Sequence, residues 1–355
     1  MKLKNILTVS AFVLCAAASA AMIFSGDQSP TESSDVISSS ASPTQIPTRT
    51  LTLTAAGDCT FGTDVNASYD LGFDAYAEKY GTDYFFKNVR DIFNEDDLTI
   101  LNFEGTLTDR GIREDKQFAF RGDPEYVNIL TGSSVEAVNL ANNHSSDYGA
   151  QSLTDTKQIL DNAGILNCRG EDNVCVTEIN GIRVGLVGIN YLNDTMKTEL
   201  ESAISKADSM GAEIIILSIH WGVEKATAPN EEQIAVAHRA IDLGADLVIG
   251  THPHVLQGIE KYNGRYILYS LGNFSFGGNN APADMDTAIW RQTFTISDGI
   301  LQDDDNYEII PCRISSSDGY NDYCPTPAEG AEKERIEEKL SSYSAEFGIN
   351  QLKFR

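Results

Sequence analysis

Five separate apolar runs in this sequence end on side chains that can hold a metal ion. No other feature constrains the fold as much. Residues 51–56 alternate and end at Gly57-Asp58, and residues 98–103 end at Glu104-Gly105. Residues 135–140 run into Asn142-Asn143-His144, and residues 214–219 into His220-Trp221-Gly222. Residues 247–249 run into Gly250-Thr251-His252-Pro253-His254. Short apolar runs bounded by such polar turns read as buried strands. Between them, residues 83–93, 151–163, 198–210 and 231–243 carry helical spacing. Strands alternating with helices predict an α/β fold with parallel strands. In such sheets ligands bind at the carboxyl ends of the strands. Asp58, Glu104, His144, His220, His252 and His254 are all expected at that edge.

The remaining pattern is consistent with this class. Residues 174–179 and 182–189 flank Asn180-Gly181, and residues 255–261 and 265–270 flank Asn263-Gly264. Both are hairpin signals. Late strands are expected near 290–296 and 307–314, then a charged, exposed helix over 328–342. No internal repeat occurs.

The chain has five histidines. Four of them follow apolar strands, and only His238 falls on a predicted helix surface. A single strand-end histidine is usually structural. Four, beside Asp58 and Glu104 at the same edge, point to a shared metal or catalytic site. Imidazole and carboxylate together suit Mn, Zn or Fe, as one ion or two. Two ions about 3.5–4 Å apart stabilise attacking and leaving oxygens in displacement at phosphorus, and activate water near neutral pH. A further histidine can protonate the leaving group.

Lys2 and Lys4 precede an apolar run over residues 6–24. A signal peptide and an uncleaved membrane anchor over residues 1–24 both fit this pattern. Either one places the rest of the chain outside the cytoplasm. In residues 25–50, 15 of 26 are Ser, Thr or Pro, a composition that reads as a disordered linker. The main domain is expected over 51–325, with a C-terminal helical extension over 326–355. The 26 basic and 52 acidic residues give a net charge of −26. That excess opposes nucleic-acid binding. Outside the cytoplasm, Cys168 with Cys175 and Cys312 with Cys324 can each close a local disulfide. Cys59 is expected to be a small buried residue.

Gly57-Asp58-Cys59-Thr60-Phe61-Gly62, Asn102-Phe103-Glu104-Gly105, Asn139-Leu140-Ala141-Asn142-Asn143-His144, His220-Trp221-Gly222, Gly250-Thr251-His252-Pro253-His254-Val255 and Ser270-Leu271-Gly272-Asn273-Phe274 occur in this order. Together they resemble the bacterial capsule-synthesis proteins of the CapA/PgsA poly-γ-glutamate family. That family is similar in turn to the calcineurin-like metallophosphoesterases. The resemblance spans about residues 51–315. It implies a metallophosphatase-like α/β sandwich of two mixed β-sheets flanked by helices, in the order α/β/β/α. Carried over by position, it implies metal ligands at Asp58, Glu104, Asn143, His220, His252 and His254. It also implies His144 as general acid beside a catalytic Asp58. Two positions depart from the phosphoesterase pattern. Thr60 stands where that pattern has His, and Glu104 where it has Asp.

Other residues extend the site on chemical grounds. Arg121 can clamp an anionic substrate through its fork. Trp221 can form a platform for carbohydrate or peptide. Asn273 can bond to a ligand histidine or to substrate. Asp64 and Asp147 read as solvated surface. The resulting expectation is an extracytoplasmic protein of capsule biosynthesis or export with a metal-dependent hydrolase centre. It would act on an anionic polymer, a phosphoester or a γ-glutamyl amide, near membrane proteins of capsule synthesis and export. A non-catalytic scaffold or polymer-anchoring subunit on the same fold is the alternative.

Overall fold

The computed structural model describes residues 47–67, 71–303, 305–349 and 351–355. The segment expected as signal peptide or anchor, Cys15, and the linker up to residue 46 lie outside the described residues. Arg49 and Thr50 already belong to the first strand.

Two mixed sheets form, and each has a parallel centre. In the first, Arg49–Thr60 lies beside Leu98–Phe103, followed by Ala137–Asn139 and Leu166–Cys168, all parallel. On its other side Arg49–Thr60 pairs antiparallel with Asp286–Ser297, which pairs with Tyr307–Arg313. The short strand Asn273–Phe276 adds to Arg49–Thr60 in parallel, with Asp58 opposite Asn273. In the second sheet Ile182–Asn190, Ile214–His220, Leu247–Thr251 and Arg265–Leu268 run parallel. The hairpin strands Cys175–Ile179 and Ile259–Tyr262 close its edges. Both hairpins turn on the expected Asn-Gly pairs. Asn180, Gly181, Asn263 and Gly264 all have positive φ, as a two-residue type I′ turn requires.

The core explains the layering. Leu51, Leu53, Ile100 and Ala137 of the first sheet pack against Val184, Leu186, Ile216 and Ile249 of the second. The opposite face of the first sheet is covered by Phe73, Phe85, Phe86, Phe93, Ile129 and Leu160 from its helical side. The opposite face of the second is covered by Leu200, Ala203, Ile204, Val236, Ala237 and Ile241, from helices Leu200–Ser209 and Glu231–Asp242. This is the α/β/β/α order expected. Parallel strands with covered faces read as continuous apolar runs, which is why residues 214–219 were legible as a strand.

Two helical expectations change. Residues 83–93 do not form one helix. A 3-10 turn Thr82–Tyr84 and a short helix Arg90–Phe93 are joined by turns. The adjacent Phe85 and Phe86 are both fully buried, Phe85 stacked on Phe73 and Phe86 set edge-on to Phe61 and Phe93. The C-terminal helix, Gly330–Ser344, is not wholly exposed. Its Ile336 and Leu340 join the layer between the sheets.

Candidate metal centre

Because the central strands of each sheet are parallel, their carboxyl ends share one edge. Five segments deliver side chains there. Asp58 comes from a strand whose pairing slips between Ala55 and Asp58. Gly57 makes the slip possible. A Cβ on it would stand 1.9 Å from the Gly272 carbonyl oxygen, and that carbonyl accepts from the Asp58 amide at 2.9 Å. The slip leaves the carboxylate of Asp58 facing the second sheet's loops. There its Oδ1 accepts from Asn102 Nδ2 (2.7 Å) and its Oδ2 from the His252 amide (3.2 Å).

Glu104 follows the next strand and is fully buried. Neither of its carboxylate oxygens has a hydrogen-bond partner. Its Oε1 lies 3.6 Å from His144 Nε2 and 3.8 Å from His254 Nε2. A buried carboxylate with no donor is costly. Burial pushes this carboxyl up to about 8, against the opposing pull of His254.

The histidines divide into two environments. Burial, then the neighbouring His252 and His254, hold His220 well below the ordinary imidazole value. Its Nδ1 is 3.0 Å from Thr251 Oγ1, and its Nε2 is 2.8 Å from Asn143 Oδ1. His252 is pushed down to about 4, first by burial and then by His254. Its Nδ1 is buried without a partner. His254 behaves oppositely. Burial opposes its charge, yet Glu104 and Asp58 outweigh that and raise it to about 10. Its Nδ1 lies 2.9 Å from Asn273 Oδ1 and 3.3 Å from Asp58 Oδ2. His252 and His254 both have positive φ. This is strained for residues with side chains, and such strain gathers at functional sites.

The orphaned oxygens of Glu104 and the orphaned Nδ1 of His252 fit a divalent cation. Two donor groups come together. Asp58, Glu104 and His220 offer ligand atoms within 4.8 Å of one another, and so do Glu224, His252 and His254. Thr60 is buried beside this edge, and its hydroxyl has no partner.

His144 stands one step outside the first donor group. Its Nδ1 meets Asp147 Oδ2 at 2.7 Å, and its ring lies against Phe120. Burial lowers its pKa, and Asp147 works against that. Asp147 is therefore not solvated surface. It is buried, accepts from the Phe120 amide (2.6 Å) and pairs with Lys116 (2.7 Å). Asp64 is buried as well, held by Arg113 and the Ala119 amide.

Asn273 reaches the site, through His254. Arg121 packs its guanidinium over Tyr148, 4.5 Å from the ring centroid. It lines a cleft with Thr63, Asp64, Asp74, Asp109 and Asp123, and none of the ligand residues lines that cleft. Trp221 is 1% exposed. Its Nε1 donates to the Tyr269 carbonyl, and its ring packs under the second sheet's helices. It is a wall, not a platform. The two expected disulfides do not form, and all four thiols are free. Cys168 points inward at Val138 and Asn139, and Cys175 is held in the Cys175–Ile179 strand. Cys312 and Cys324 direct their sulfurs at different carbonyls, those of Ile310 and Tyr84. Cys59 is buried, as expected.

Sequence reasoning missed Glu224 and Lys116. It quoted Thr251, which meets His220, and Asn102, which holds Asp58, without giving either a role. Glu224 lies two residues past His220-Trp221-Gly222, and that proximity was the available signal.

Comparison with known proteins places these residues in context. The family described as bacterial capsule synthesis protein PGA_cap matches residues 52–278. The PGA biosynthesis protein CapA of Bacillus subtilis (strain 168) is 32% identical over 246 residues, which is 61% of this chain and 65% of that protein. The capsule biosynthesis protein CapA of Bacillus anthracis is 31% identical over 253 residues, 64% of this chain and 60% of that protein. The chain thus spans less than two thirds of the length of either relative. A 5'-nucleotidase from Candida albicans SC5314 is similar in structure, with a TM-score of 0.40 and 12% identity. That match covers 83% of this chain and 57% of the other.

Proposed function

The chain belongs to the bacterial capsule synthesis protein PGA_cap family, and from that we propose that it serves poly-γ-glutamate capsule biosynthesis outside the cytoplasm as a divalent-metal hydrolase. The observation that carries the hydrolase reading is Glu104. This buried carboxylate has no hydrogen-bond donor, and it sits among Asp58, His144 and His254. The substrate is a phosphoester or a γ-glutamyl amide.

Asp58, Glu104, Asn143 and His220 would hold one cation, and His252 and His254 would contribute to a neighbouring position. Divalent cations in such a centre polarise the scissile group and activate water. The rest is done by side chains. Asn102 and the His252 amide fix Asp58. Asn273 fixes the ring of His254. Asp147 accepts from His144 Nδ1 and so keeps the proton-bearing tautomer defined. The Nε2 of His144 then faces Glu104, and in the doubly protonated ring, whose charge Asp147 supports, it would be placed to protonate a leaving group.

The N-terminal segment supports an extracytoplasmic location, secreted or anchored. Partners would be membrane proteins of capsule synthesis or export. Among the described residues no helix is long and apolar enough to cross a membrane. The net charge of −26 repels a polyglutamate chain, so bound cations would bridge the two.

The test is hydrolysis of bis-p-nitrophenyl phosphate and of a γ-glutamyl anilide, with Mn²⁺ or Zn²⁺, by wild type and His144→Ala. Turnover that falls at least about a hundredfold in the variant, with fold and metal content kept, is expected. Equal rates for the two proteins would contradict it.

A second reading rests on Thr60, a hydroxyl at the position where the phosphoesterase pattern has an imidazole. On that reading the domain is a non-catalytic scaffold that holds polymer or membrane partners. It predicts that His144→Ala restores capsule to a deletion strain as fully as wild type does.

A further inference from the structure

We propose that Glu224 is a ligand of a second divalent cation, held together with His252 and His254. The inference rests on the metal-centre reading above and extends it to a residue on a separate loop.

Three observations converge. The first is the donor set. Glu224, His252 and His254 bring one carboxylate and two imidazoles to within 4.8 Å of one another, a mixture that suits Mn²⁺, Zn²⁺ or Fe²⁺. The second is an unanswered polar atom. His252 is 7% exposed and its Nδ1 has no hydrogen-bond partner. Buried ring nitrogens normally have one, and a cation supplies it.

The third is the way the Glu224 loop is fastened. Trp221 N donates to the Thr251 carbonyl (3.1 Å) and Lys225 N to the Pro253 carbonyl (2.7 Å). Gln257 Nε2 donates to the Ala226 carbonyl (2.8 Å). Gly222 has a φ of +83° and lies against the Gln233 side chain, so a Cβ there would meet it at 2.7 Å. Gln233 itself bonds to Gln257 and caps the helix Glu231–Asp242. The loop is thus stitched residue by residue to the turn that carries His252 and His254. Glu224 is held at those imidazoles by backbone bonds on both sides of it.

Glu224 is also the exposed member of an otherwise buried or half-buried donor set. It closes the cluster on its solvent side.

The test is Mn²⁺ titration of the full-length protein, with the free ion followed by electron paramagnetic resonance. Wild type, Glu224→Gln and Glu224→Asp are compared, each with a thermal melt in chelator. Wild type is expected to bind two ions. Glu224→Gln should keep the site of Asp58, Glu104 and His220 and lose at least about tenfold in affinity at the other. Glu224→Asp should recover part of that loss. The melts in chelator should coincide, since Glu224 is exposed. If wild type binds two ions and Glu224→Gln binds both equally well, Glu224 is not a ligand and the metal centre stands without it. If wild type binds no ion, the metal-centre reading fails and this proposal with it.

Discussion

His144 Nδ1 lies 2.7 Å from the carboxylate of Asp147, three residues later in the chain. The same carboxylate takes the Phe120 amide on one oxygen and Lys116 on the other. The ring is therefore held from behind, and its Nε2 is left facing Glu104. Asp147→Asn should lower hydrolysis of a phosphoester about a hundredfold while metal stoichiometry stays at the wild-type value. Steady-state kinetics alongside ion content checks this. Unchanged turnover in a folded variant would show that His144 needs no such support.

Metal should also stabilise the fold. An ion that binds only the native state adds about 3 kcal/mol at a hundredfold excess over its Kd. Thermal unfolding with Mn²⁺ and with chelator should differ accordingly. In Glu104→Gln, which loses a ligand of the first donor group, that difference should shrink. Equal melting temperatures in wild type with and without ion would argue against the cluster as a cation site.

The Trp221 side chain predicts a stability effect without a binding effect. It is buried and stacked near Tyr269. Trp221→Ala should cost about 3–5 kcal/mol, read by denaturant unfolding. Trp221→Phe should keep most of the packing and leave polyglutamate binding unchanged. A binding loss in a well-folded Trp221→Phe would restore the platform role.

The C-terminal helix is clamped through Asp286. Burial works against its charge, but hydrogen bonds from Arg335 and Lys339 outweigh that and hold its carboxyl below the ordinary value of 3.8. Asp286→Asn should cost about 2 kcal/mol at neutral pH. A depressed carboxylate contributes its stability above the unfolded pKa and loses it as pH falls through the folded one. The gap between wild type and variant should therefore be constant above about pH 5 and shrink below about pH 4. A gap that widens on acidification would contradict the clamp.

How much of this was legible depended on the kind of residue. Asp58, Glu104 and Asn143 follow apolar strands of the first sheet, and His220, His252 and His254 follow those of the second, so parallel topology sets each group at the carboxyl edge of its own sheet. Residues whose role comes from tertiary contact were opaque. Asp147 and Asp64 look like surface acids until Phe120, Lys116, Arg113 and Ala119 close over them. Trp221 looks like a platform until the helix layer covers it. Cys312 and Cys324 look close in sequence, yet their sulfurs face the carbonyls of Ile310 and Tyr84. Ile336 and Leu340 sit in a strongly charged helix, and only packing shows the face they bury.

The most direct test of the metal centre is elemental analysis of the full-length protein purified without added metal or chelator. It should be run beside a His252→Ala, His254→Ala double variant. The account predicts bound Mn, Zn or Fe in wild type and a clear loss in the variant. No bound ion in wild type, even after soaking in Mn²⁺ or Zn²⁺, would contradict it.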